Sequence, residues 1–169
     1  EKLIPYLTQH IRDQADHSHT ASIPTGTEED DEILLILAEQ LGQFVTSGLI
    51  PGYRAISLLP ILEQLCGVEE TVVREKAVES LNGVVPLMFV DKAESKAKEE
   101  KEAMSYCKKA APGVLLKMIK RMAGAEWFTA KVSAAAVLPV VYQFYNKMSG
   151  TVHMSASAAD SNEGGANVE

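Results

Sequence analysis

His17 and His19 stand one residue apart in a polar stretch and are the side chains best suited to begin a metal site, while Cys66 and Cys107 are the two thiols that could act as nucleophiles. A tetrahedral metal centre needs a second pair of Cys, His or carboxylate ligands, and none is spaced to complete the His17-Ser18-His19 pair. Thiol chemistry needs a base or positive charge to form the thiolate, and Cys66 falls at a helix end on an apolar stripe with no histidine near it in sequence or by register. Asp30-Asp31 and Glu99-Glu100 are paired carboxylates, but neither pair sits in the apolar enclosure that would separate their pKa values for acid–base work. Gly164-Gly165 opens no helix, so it is no phosphate loop. The sequence therefore predicts no catalytic residue, no metal site and no cofactor.

What remains is recognition chemistry. An acidic run Glu28-Glu29-Asp30-Asp31-Glu32, the pair Glu69-Glu70 and Glu126 each precede or open an amphipathic segment. Carboxylates at a helix N-terminus complement the macrodipole and cap free N–H groups, which alone accounts for their position. Alternatively they form an acidic ridge that steers a basic partner surface into register. Trp127-Phe128 follow Glu126 directly, where the second unit carries the polar Glu70-Thr71. Trp is strongly enriched among interface hot spots, so this pair marks a candidate contact; one of the two rings is expected to pack beneath the turn.

The elements that must position these residues repeat along the chain. Leu59, Leu62, Leu65, Gly67 and Glu69 align with Leu116, Ile119, Met122, Gly124 and Glu126 at a constant offset of 57 residues. Beyond the turn Arg74, Ala77 and Leu81 align with Lys131, Ala134 and Leu138, and an earlier copy reads Leu3-Ile4-Pro5-Tyr6-Leu7 followed by 33–42. Repeated helix pairs that cannot bury their apolar faces singly make a solenoid. The expected fold is all-α: a right-handed α-solenoid of about three helical hairpins. They fall at 1–47, 52–85 and 112–147, within an array over 1–147, followed by a disordered Gly/Ser/Ala-rich tail over 148–169.

Within the array, a loop is expected over 13–28, then a helix over 29–46. The next unit has a helix over 53–66 bent at Pro60, a turn at Gly67-Val68 and a partner helix over 69–85. The Lys/Glu-rich stretch 91–109 reads as a solvated helical extension outside the core, with Pro112 restarting the third unit. Helices over 114–123 and 126–147 follow, the last kinked at Pro139. With a net charge of −7, nucleic acid is a poor partner, since phosphate contacts need clustered Lys and Arg. The apolar run 132–142 is far short of a bilayer span, so no membrane role is expected. Two thiols without framework spacing point to a reducing, cytoplasmic compartment, with the nucleus also open. The chain starts at Glu1, inside an expected helix, and reads as a piece of a longer array.

The blocks Asp31-Glu32-Ile33-Leu34-Leu35-Ile36-Leu37-Ala38-Glu39-Gln40-Leu41-Gly42, Val68-Glu69-Glu70-Thr71-Val72-Val73-Arg74 and Ala123-Gly124-Ala125-Glu126-Trp127-Phe128-Thr129 closely resemble the scaffold (A-type) family of protein phosphatase 2A subunits. The resemblance spans about 1–14, 29–85 and 112–142 and implies HEAT repeats from the N-terminal part of a hook-shaped array. It implies a non-catalytic scaffold whose intra-repeat turns hold a regulatory B-type subunit, the catalytic subunit binding far C-terminal repeats that have no counterpart here. Carried over by position, Glu69, Glu70 and Arg74 in one turn, and Glu126, Trp127, Phe128 and Lys131 in the next, are the implied contacts. Asp30 and Asp31 join them at the border of the 13–28 loop, which departs from the family's short turn. The alternative is an importin-like HEAT adaptor for basic peptides.

Overall fold

The computed structural model describes residues 28–90 and 97–159. In chain order they form α1 (Glu28–Thr46), a 3-10 segment (Gly52–Ser57), α2 (Leu59–Leu65), α3 (Thr71–Leu87), α4 (Lys98–Gly124) and α5 (Phe128–Ala159), with no strand among the described residues. The helix expected over 1–12 and nearly all of the 13–28 loop, with its two histidines, lie outside them.

Three helices carry one buried pattern. Leu34, Ala38, Leu41 and Val45 on α1 match Val73, Ala77, Ser80 and Val84 on α3, and Ala130, Ala134, Val137 and Val141 on α5. Each set follows i, i+4, i+7, i+11 spacing, the stripe of a helix packed along one face, and every member is buried. The helices accordingly lie side by side, α3 between α1 and α5. The 3-10 segment, α2 and α4 form the second layer, with α2 against α3 and α4 against both α5 and the 3-10 segment. Successive hairpins thus cover one another, as an α-solenoid of HEAT type requires.

The α1–α3 contact is the tightest. Ser80 Oγ donates to the Ala38 carbonyl at 2.5 Å. A Cβ on Gly42 would overlap Ser80 Oγ, so only hydrogen fits there. One turn on, Gly83 faces Thr46, so the two helices run parallel. Gly48, at φ 80°, ends α1 in the left-handed region that glycine enters without penalty. Tyr145 on α5 donates its hydroxyl to the Pro112 carbonyl of α4 at 2.6 Å, and Phe89 stacks on Phe144 at 3.5 Å between centroids.

Four boundaries differ from expectation. The helix expected over 53–66 is two pieces, and Leu58 caps α2 so that Pro60 falls in its first turn, where the missing N–H has no helical acceptor to lose. α3 begins at Thr71 rather than 69, because the Glu70 carboxylate serves as N-cap and accepts from the Val72 N–H at 3.4 Å.

The third difference is a correction in part: the helical, solvent-facing character expected over 91–109 holds over 98–106, where no residue is buried, but that helix is not separate from the core helix after it. α4 starts at Lys98 within the stretch expected to be a separate extension over 91–109, and runs unbroken through Pro112. Cys107, Ala111, Leu115, Met118 and Met122 form one buried stripe across the proline, so packing outweighs a lost hydrogen bond and clash of about 3 kcal/mol. α5 begins at Phe128 and reaches Ala159, past the expected end at Lys147, through an Ala/Ser/Met-rich stretch without proline.

Register is kept where hairpins stack and lost where they do not. Leu59, Leu81 and Val85 are at most 1% exposed, whereas their register partners Leu116, Leu138 and Tyr142 are 42%, 50% and 62% exposed. The second hairpin is covered by the third on that side, and nothing among the described residues covers the third.

Replacing Gly42 by Ala is expected to lower unfolding free energy by about 1–3 kcal/mol through forced separation of α1 and α3. Gly113→Ala, where a Cβ meets nothing within 4 Å, should be neutral or stabilising by up to about 1 kcal/mol. Urea denaturation of both variants checks the pair.

Candidate functional site

The turn joining α2 to α3 and the turn joining α4 to α5 emerge at the same edge of the stack. Ser133 on α5 donates its hydroxyl to the Cys66 carbonyl at 2.8 Å, tying the third hairpin to the second directly beneath its turn. Arg121, in the last turn of α4, binds Glu63 on α2 through two bonds of 2.7 Å, Nε to Oε1 and Nη2 to Oε2. Between these links lies a groove of about 460 Å³ lined by Pro60, Gly67, Met122, Ala125 and Ala130, with Glu63 and Arg121 at its wall.

The α2–α3 turn is held by its own arginine. Arg74 Nη1 donates to the carbonyls of Val68, at 2.9 Å, and Glu69, while Nη2 donates to Thr71 Oγ1 at 3.1 Å. Val68 is buried under the turn, which leaves Glu69 and Glu70 pointing outward. Arg74 is therefore committed to shaping the turn and is partly covered. Lys131, in the same register place on α5, is exposed. Glu126 is exposed as well, and Trp127 and Phe128 are 55% and 70% exposed. Both rings are thus more than half exposed, where one was expected to pack beneath the turn. Asp30 and Asp31 belong to the first turn of α1, and Asp31 is exposed.

The structure brings Glu69, Glu70, Glu126, Trp127 and Phe128 to one edge across two adjacent turns. Because α1 is parallel to α3, the first turn of α1 with Asp31 lies toward the same end. Sequence reasoning missed the Arg121–Glu63 and Ser133–Cys66 links. A signal for the first existed, since the 57-residue register sets Glu63 against Lys120 and Gln64 against Arg121, placing opposite charges on neighbouring repeats.

Thiolate formation is suppressed at both cysteines. Cys66 and Cys107 are buried free thiols. Burial, helped by the Glu63 carboxylate, pushes the Cys66 thiol up from 9.0 to about 12, and burial pushes Cys107 up to about 11. No group of three metal-ligating side chains occurs among the described residues, and no described helix is long and apolar enough to cross a membrane.

The sequence that builds these stacked hairpins is similar to known proteins over most of its length. The chain is 38% identical over 144 residues to the alpha isoform of the 65 kDa A-type regulatory subunit of serine/threonine-protein phosphatase 2A from Arabidopsis thaliana, covering 85% of this chain and 18% of that protein. It is 36% identical over 142 residues to the human beta isoform of the same 65 kDa regulatory subunit, covering 83% and 18%. A probable serine/threonine-protein phosphatase PP2A regulatory subunit of Caenorhabditis elegans matches at 41% over 114 residues, covering 68% and 16%.

The chain is a homologue of the A-type regulatory subunits of phosphatase 2A. It spans less than a fifth of the length of these regulatory subunits. No protein-family model matches it.

The raised Cys66 thiol fixes a pH dependence. The unfolded chain loses this proton near 9.0 and the folded chain near 12, so the folded state is favoured below 9 and that contribution is lost as pH rises between the two. Urea denaturation at pH 8 and at about pH 10.5 should therefore show a larger loss of stability in the parent chain than in Cys66→Ala.

Proposed function

We propose that this chain is a non-catalytic scaffold segment of a serine/threonine-protein phosphatase 2A assembly, and that its turn edge docks a B-type regulatory subunit. The carrying observation is the pairing of two exposed aromatic rings, Trp127 and Phe128, with the outward carboxylates Glu69, Glu70 and Glu126 on adjacent turns. Large aromatics supply desolvated contact area, and the carboxylates steer a basic partner face and set register. Arg74 acts by shaping the turn from beneath, and Lys131, Asp30 and Asp31 flank the edge. The catalytic subunit is held elsewhere in the assembly. Two buried thiols outside any disulfide accord with a reducing compartment, the cytoplasm or nucleus.

Isothermal titration of the full chain with a recombinant B-type regulatory subunit tests this reading. Trp127→Ala should weaken binding about thirtyfold or more, as loss of a hot-spot ring does. Glu69→Ala with Glu70→Ala should mainly slow association and flatten its salt dependence. Binding by the parent that is unchanged in Trp127→Ala would remove the edge as the site. Binding that collapses completely in high salt would favour capture of a basic peptide over aromatic anchoring.

A further inference from the structure

Two turns make a single docking edge only if the spacing between their hairpins is fixed. The Arg121–Glu63 pair is the contact placed to fix it. Its partners are 58 residues apart and belong to successive hairpins, and both sit within a turn of the edge. The pairing is bidentate, with both bonds at 2.7 Å, and the planar guanidinium meets the carboxylate fork to fork. Ordinary surface ion pairs contribute little, because two mobile side chains must be ordered in water. This one differs on that point: the Glu63 side chain is 11% exposed, held among α2 and the groove wall, so one half of the pair is already ordered.

The pair also borders the groove. Pro60, Glu63 and Gly67 form one side and Arg121, Met122 and Ala125 the other, so a change in hairpin spacing opens or closes it directly. Ser133 to the Cys66 carbonyl makes a second attachment on the α5 side. Both attachments hold the second hairpin by α2, one from the last turn of α4 at Glu63 and one from α5 at the Cys66 cap, so the two hairpins are tied at two points beside the turns.

We infer that Arg121 and Glu63 are positioning residues that lock the separation and tilt of the Glu69–Glu70 turn relative to the Glu126–Trp127 turn, and so preorganise the docking edge. The inference rests on the docking function proposed above. Without the lock the two turns would sample a range of spacings, and the partner would have to select the competent one.

The test uses two independent readouts on the full chain. Spin labels at Glu69→Cys and Glu126→Cys report the inter-turn distance distribution by pulsed dipolar spectroscopy, the buried native thiols resisting the label. Titration with a recombinant B-type subunit, on unlabelled chains carrying neither cysteine substitution, reports affinity. Arg121→Gln should broaden the distance distribution and weaken binding about tenfold. The double charge swap Glu63→Arg with Arg121→Glu should restore both, and Arg121→Lys, which keeps the charge without the fork, should fall between. An unchanged distance distribution in Arg121→Gln overturns the inference. So does an affinity loss that the swap fails to reverse while it restores the distances. If the parent binds no B-type subunit yet the distances respond as stated, the lock stands and the docking reading falls.

Discussion

Close approach of parallel helices is the constraint from which the rest of the molecule follows. Ala38, Ala77 and Ala134 occupy one place on α1, α3 and α5, and each is buried. Small residues at that place let helix backbones approach, and at α1–α3 the approach is complete enough that Gly42 can carry no side chain and Ser80 reaches a backbone carbonyl. A helix so packed on both sides is held in direction and height by its neighbours. The N-terminal ends of successive helices then fall in line, and the turns that precede them become one edge. Function in such an array is a matter of what the turns carry and how steadily they are held.

The sequence made the stack legible because one buried stripe recurs at fixed spacing. Ile119 and Met122 are buried as Leu62 and Leu65 are, and Ala134 as Ala77 is. Periodicity in a chain reports which face is covered, and here the covered face is the same in each unit. It failed where coverage comes from outside the helix. Leu116 and Leu138 match Leu59 and Leu81 in type, but no neighbour among the described residues covers them. Composition misled at α4, where Lys and Glu on the exposed faces concealed a buried stripe that begins at Cys107 and passes Pro112. Proline was read as a boundary, yet a helix packed along both sides of it tolerates one missing hydrogen bond.

The site was legible as residue types and illegible as mechanics. Glu69, Glu70, Glu126, Trp127 and Phe128 could be named from their position before helices, and each faces outward. Capping and display proved compatible readings of the same acid: Glu70 accepts the Val72 N–H and is still exposed. Arg74 was carried over by position as a contact through the family resemblance, and its bonds to two turn carbonyls, which no pattern within the unit announced, make it a brace of the turn. Links between hairpins, such as Arg121 with Glu63 and Ser133 with Cys66, depend on how one unit sits on another. A pattern within a unit does not encode that, except where register sets opposite charges side by side.

A closely packed stack, a braced turn and two exposed rings accord with the docking edge proposed for this chain. Amide hydrogen exchange of the chain, free and then bound to a B-type regulatory subunit, tests this most directly. Docking through the turn edge requires new protection within residues 66–74 and 125–131, with the helix interiors unchanged. Protection centred instead on the face bearing Leu116, Leu138 and Tyr142, with the two turns exchanging as in the free chain, would contradict it.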